Sequence, residues 1–152
     1  MTKIKVILPR QDVNESQLND WALKIINNLS QKTVLLLSGD LGSGKTTLVK
    51  ALARQLKMKD VSSPSFAIHQ RYTNAEGANM DHVDLYRLKS VDDLESTGFW
   101  DLFNCESGLV VIEWANLLNP EILPLDWKTI EVYLEKRNDL RSYEAMEIIR
   151  EI

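Results

Sequence analysis

The sequence predicts an α/β protein: a mostly parallel sheet with helices on its faces and antiparallel strands added at an edge. Three observations carry that expectation. The run "TVLLLS" at 33–38 is apolar on both faces, as a buried parallel strand requires. It passes without a break into the glycine-rich stretch "GDLGSGKT" at 39–46, and then into a helical stripe of Leu48, Val49, Leu52 and Leu56. A second buried strand reads as "GLVVIEW" at 108–114.

The remaining elements follow in order. Ile4, Val6 and Leu8 alternate with polar residues and predict an opening strand that stops at Pro9. Leu18, Trp21, Ile25 and Leu29 recur at helical spacing between Asn14 and Ser30, with Asn14 or Ser16 available as N-cap. Strands are expected at about 66–72 and 80–86, joined by a polar turn around residues 74–79. Ser90 and Asp93 suit the capping of a short helix, "SVDDLEST", which Gly98 ends. Pro120 and Pro124 break the chain, and "WKTIEVYLEK" and "SYEAMEIIR" close it as a hairpin around Asn138 and Asp139. Trp21, Trp100 and Trp127 stand at apolar positions and read as core.

The chain has 152 residues, of which 44% are hydrophobic and 26% charged, as expected for one soluble globular domain over 1–152. No apolar run approaches the ~20 residues of a membrane helix, and the N-terminus lacks the pattern of a signal peptide. Cys105 is the single cysteine, which suits a reducing cytoplasm. Nothing in the sequence around it marks that thiol as reactive, and His69 and His82 lack the spacing of a metal pair. A net charge of −4 argues against a nucleic-acid binder acting through bulk electrostatics. Any service to a nucleic acid should therefore pass through a partner.

"GDLGSGKT" matches G-x-x-x-x-G-K-[ST], the phosphate loop of P-loop NTPases, in the strand–loop–helix setting that motif needs. By average composition a chance match in such a chain is on the order of 1%. The loop glycines keep side chains away from phosphates and let successive N–H groups point inward, backed by the positive end of the following helix. Asp40, Leu41, Gly42, Ser43, Gly44 and Thr47 thereby join Lys45 and Thr46 as expected nucleotide contacts. Lys45 should reach the β- and γ-phosphates, and the Thr46 hydroxyl should ligate Mg²⁺. An acid on a neighbouring strand must also serve the metal. Asp84 in "HVDLYRL" and Glu113 at the end of "LVVIE" both qualify. Each also has a plain structural reading, as an ion pair with Arg87 and as a strand-capping surface acid respectively. Neither N/T-K-x-D nor D-x-x-G occurs, which points away from a GTPase and toward ATP. Arg137 and Arg141 flank "RNDLR", which suits either a kinase lid or a solvated hairpin tip.

"SGDLGSGKTTLVKAL", "SPSF" at 63–66, "HVDLYRL" at 82–88, "LESTGF" at 94–99 and "VIEW" at 111–114 stand in this order and spacing. Together they resemble the TsaE (YjeE) family, from about Pro9 to Arg141. The resemblance implies a P-loop NTPase-like three-layer fold and a Mg²⁺-dependent ATPase of tRNA threonylcarbamoyladenosine (t6A) synthesis. It implies TsaB and TsaD as protein partners, with tRNA reached indirectly through them. The ATP cycle is then expected to reset that complex between turnovers, slowly when the chain is alone. By the same resemblance Lys45, Thr46, Asp84 and Glu113 are the catalytic group, and Thr46, Glu113 and Asp84 serve the metal. Ser65 falls in a switch-like loop, and Trp114 and Arg141 match positions near the nucleotide. A small-molecule kinase and a nucleotide-gated binding module are the alternatives.

Overall fold

The computed structural model describes residues 2–40, 43–60, 69–85, 93–94, 98–113 and 118–150. Eight strands form one sheet in the order β1-β8-β7-β2-β6-β5-β4-β3. The four central strands are parallel: β7 (Lys128–Arg137), β2 (Lys32–Ser38), β6 (Gly108–Glu113) and β5 (Asn79–Asp84). Antiparallel strands flank them on both sides, where the sequence placed them at one edge. These are β8 (Leu140–Arg150) and β1 (Thr2–Asp12) on one side, and β4 (His69–Thr73) and β3 (Lys59–Asp60) on the other.

β2 lies between two parallel neighbours and is buried on both faces, which accounts for its unbroken apolar run. One face packs Leu35, Leu37, Val111 and Val132 beneath α1 (Leu18–Ile26) and α2 (Lys45–Gln55), which contribute Trp21, Ile25, Leu48 and Leu52. The other face packs Val34, Leu36, Ile112 and Val83 against Phe99, Phe103, Leu118, Leu123 and Trp127. The described cover on that side is a 3₁₀ segment, Phe99–Asn104, and the Pro120–Ile122 turn rather than an α-helix. Phe103 and Trp127 meet edge to face there, with ring centroids 5.1 Å apart. Trp21 and Trp127 are thus core as expected, whereas Trp100 packs against the core from its margin.

Local expectations are corrected at two places. The first strand does not stop at Pro9 but continues to Asp12. Among the described residues β1 pairs on one side only, with β8, and its register shifts twice between Val6 and Gln11. An irregular edge strand tolerates a residue that has no N–H to offer. The first helix is shorter than its apolar stripe: Asn14 caps a 3₁₀ turn, Glu15–Gln17, through a reciprocal capping box, and the α-helical part runs only from Leu18 to Ile26. The closing hairpin turns at Asn138 and Asp139 as expected, with Asn138 left-handed at φ 54°. Most of the short helix expected at 90–97 lies outside the described residues, as do Tyr86 and Arg87.

Candidate functional site

Parallel strands end together, so the side chains at their carboxyl ends share one rim of the sheet. Ser38 ends β2, Glu113 ends β6 and Asp84 ends β5. The register sets Glu113 directly beside Leu37 on one side and Asp84 on the other. Glu113 continues the Leu109–Val111 face, and Asp84 the Met80–His82 face, toward the side that carries α2. Both candidate acids therefore stand next to the loop that joins β2 to α2.

That loop is tightly built. A β-carbon at Gly39 would lie 2.4 Å from the Leu134 carbonyl oxygen, so the chain passes β7 where only glycine fits. The Ser43 N–H donates to the Asp40 carbonyl at 3.0 Å. Gly44, at φ 105°, caps α2 in the left-handed region, and Lys45 is the first helical residue. Lys45 is only 5% exposed. Its ammonium donates to the carbonyls of Gly39 at 2.7 Å and Asp40 at 3.0 Å. Burial lowers its pKa, while Glu113, Asp40 and Asp84 pull the other way.

Glu113 is 4% exposed. Its Oε1 accepts from the Thr46 hydroxyl at 3.3 Å, and its Oε2 lies 2.5 Å from Nε2 of His82. The structure thus brings Lys45, Thr46, Glu113 and Asp84 into one neighbourhood from three separate stretches of sequence. His82 belongs to this cluster and was missed. Its place on the same strand face as Asp84 is the signal the sequence carries for it.

On the other side of α2's first turn, β8 supplies Arg141 and Tyr143. A β-carbon on Gly44 would meet the Tyr143 hydroxyl at 3.2 Å and Arg141 Nη1 at 3.3 Å. Tyr143 is held in place by an edge-to-face contact with Trp21, at 5.0 Å between centroids. Burial raises the pKa of its phenol against the pull of the Arg141 guanidinium. These residues, with Thr47, Asn14, Glu15 and Lys136, line a cavity of about 430 Å³ beside the loop. Arg141, paired with Lys136 one step in from the hairpin's end, thus also reaches the loop, whereas Arg137 is exposed and pairs with Glu135 at 2.8 Å. Leu41, Gly42, Ser65 and Trp114 lie outside the described residues.

The comparisons decide the family. The model of the threonylcarbamoyl adenosine biosynthesis protein TsaE matches residues 13–143. The chain belongs to the TsaE family. A TsaE of Aquifex aeolicus is 33% identical over 141 residues, covering 90% of this chain and 97% of that one. A TsaE of Rickettsia typhi is 30% identical, covering 78% and 84%. A crystal structure of YdiB from Bacillus subtilis superposes with a TM-score of 0.62 at 26% identity, covering 98% of this chain and 87% of that one. The TsaE match takes in every site residue from Asp40 to Arg141 and leaves β1 outside.

The donor set of this TsaE chain suits a hard cation. Thr46 and Glu113 are a hydroxyl and a carboxylate in contact, and the Asp84 carboxylate occupies the adjacent register position. No three His, Cys, Asp or Glu side chains converge as a closed cage among the described residues. Oxygen donors of this kind are what magnesium takes, one or two from the protein being completed by water and substrate phosphates.

Proposed function

We propose that this chain is the ATP-binding and ATP-hydrolysing subunit of the t6A machinery, a single ATPase domain acting in the cytoplasm with TsaB and TsaD. The observation that carries the reading is the convergence of Lys45, Thr46 and Glu113 at the start of α2. The triphosphate would lie along the β2–α2 loop, with its nucleoside in the adjoining cavity beside Thr47, Arg141 and Tyr143. Lys45 now donates to two neutral carbonyls; phosphate oxygens are stronger acceptors and would draw its ammonium toward the β- and γ-positions. Thr46 and Glu113 would hold magnesium, which supplies charge neutralisation on the transferring group. Asp84 would orient the attacking water. Phosphoryl transfer asks mainly for positioning and electrostatics, and this cluster offers both. Arg141 reaches the loop at Gly44 and lines the cavity that would take the nucleoside. Turnover by the chain alone would be slow, with TsaB and TsaD ordering the rest of the site and tRNA reached through them.

The test is ATP turnover with and without TsaB and TsaD. The expected result is weak hydrolysis that rises on adding both proteins. Lys45→Ala should lower the stimulated rate by about 10²–10³-fold, the scale for removing one charge-stabilising donor. Full-rate hydrolysis by the isolated chain would overturn the partner dependence, and an undiminished Lys45→Ala variant would overturn the site.

A further inference from the structure

We propose that His82 is a positioning residue that fixes the Glu113 carboxylate so that Oε1 faces Thr46 and the metal position. The proposal rests on the reading of Thr46 and Glu113 as the metal-holding pair. His82 lies on β5, two residues before Asp84, which is the register partner of Glu113. From there its ring reaches along the rim, and Nε2 stands 2.5 Å from Oε2. An ionised carboxylate can only accept, so the ring N–H donates. The other oxygen, Oε1, takes the Thr46 hydroxyl at 3.3 Å. The two oxygens are thus held from opposite sides, by a strand residue and by the first turn of α2.

Both members of the contact are well shielded, with side chains 12% and 5% exposed for His82 and Glu113. A carboxylate so buried needs donors, and losing one frees its terminal torsion and leaves a buried oxygen unsatisfied. Lys45 attracts Glu113, but its ammonium is engaged with the Gly39 and Asp40 carbonyls. Asp84, the lateral neighbour, repels it. Among the described residues, His82 is the hydrogen-bond partner that opposes rotation of Glu113 away from Thr46. Outer-shell partners of this kind are worth about 10–100-fold in metal affinity.

The experiment measures Mn²⁺, as a spectroscopic stand-in for magnesium, binding to the ADP-loaded chain by electron paramagnetic resonance. ADP affinity in excess chelator is measured alongside. His82→Leu should weaken Mn²⁺ binding by about 10–100-fold while leaving metal-free ADP affinity within about twofold. His82→Gln, which sets an amide N–H near the Nε2 position, should retain most of the wild-type Mn²⁺ affinity. Unchanged Mn²⁺ affinity in His82→Leu, or an equal loss of metal-free ADP binding, overturns the positioning role. If the leucine variant does not fold, His82→Gln against the shorter His82→Asn decides, and equal Mn²⁺ affinities overturn the proposal. A wild-type chain that binds ADP but no Mn²⁺ removes the metal reading of Thr46 and Glu113, and His82 falls with it. Normal wild-type binding with an unaffected leucine variant removes His82 alone.

Discussion

At Gly39 the chain leaves β2 with no room for a side chain. A β-carbon would stand 2.4 Å from the Leu134 carbonyl oxygen and 2.7 Å from the Ser43 hydroxyl. The first of these is backbone of β7, which is paired at Leu134 with Tyr143 of β8, so it cannot swing aside. The Gly39 carbonyl also accepts from the Lys45 ammonium, so a shift of this residue moves the lysine's anchor. Gly39→Ala should therefore act twice. Overpacking costs about 1–3 kcal/mol, read from the urea midpoint. ATP affinity should fall by more than the stability loss accounts for, read by titration at a temperature where the variant is folded. Gly77 makes the natural control: nothing lies within 4 Å of a β-carbon there, and it sits in the turn between β4 and β5. Its φ of 82° still charges alanine some strain, but that strain is far from Lys45.

Strand elements show where charge holds the sheet together away from the site. Asp81 on β5 lies opposite Arg71 on β4, and receives Arg71 Nε at 2.7 Å, Arg71 Nη2 at 3.2 Å and His69 Nε2 at 2.9 Å. Burial pushes the Asp81 carboxyl up, but the hydrogen bonds from His69 and Arg71 outweigh it and leave the pKa below the usual value. A carboxyl whose pKa is depressed on folding contributes stability that is complete above its unfolded value, about 3.9, and is lost as pH falls through the folded one. Asp81→Asn should thus cost about 1–3 kcal/mol at pH 7. The gap to wild type should close as the pH is lowered through about 4 and below. Denaturant midpoints at pH 7, 5 and 3 check this; a gap that stays constant would rule out the linkage. None of this pairing was legible in the sequence, because Arg71 and Asp81 meet only once the turn at 74–78 sets the register. The same holds for β3, two residues long with no apolar alternation to announce it. β2, β6 and the β7–β8 hairpin were legible because burial on both faces, or strict alternation, leaves a periodic trace. The candidate site divides in the same way. Lys45 and Thr46 sit at fixed offsets in one loop, and Glu113 ends an apolar run. His82 acts through a contact between neighbouring strands that no spacing rule encodes.

Across the whole molecule the proposed nucleotide site draws on elements far apart in sequence. β2 and α2 supply the loop, β6 and β5 the acids, and β8 supplies Arg141 and Tyr143 beside the capped turn before α1. A ligand spanning that rim touches both the parallel centre of the sheet and its antiparallel flank, so it should stabilise the fold as a unit rather than one loop. Binding to the folded state alone adds about 2.7 kcal/mol when the free ligand is 100 times its Kd. For a chain of this size each kcal/mol moves the thermal midpoint by about 2–4 °C, so Mg²⁺ and a non-hydrolysable ATP analogue should raise Tm by about 5–11 °C. Lys45→Ala should lose most of that rise. Arg141→Ala should lose a smaller part, since its guanidinium lies at Gly44 and in the cavity beside Thr47 rather than at Thr46 and Glu113. The order of these two losses is the informative result, because it depends on the phosphates lying at Lys45 and the nucleoside toward β8. If Arg141→Ala abolished the shift while Lys45→Ala kept it, the ligand would have to run in the other direction along the rim, and the assignment of Thr46 and Glu113 to the metal would fall with it.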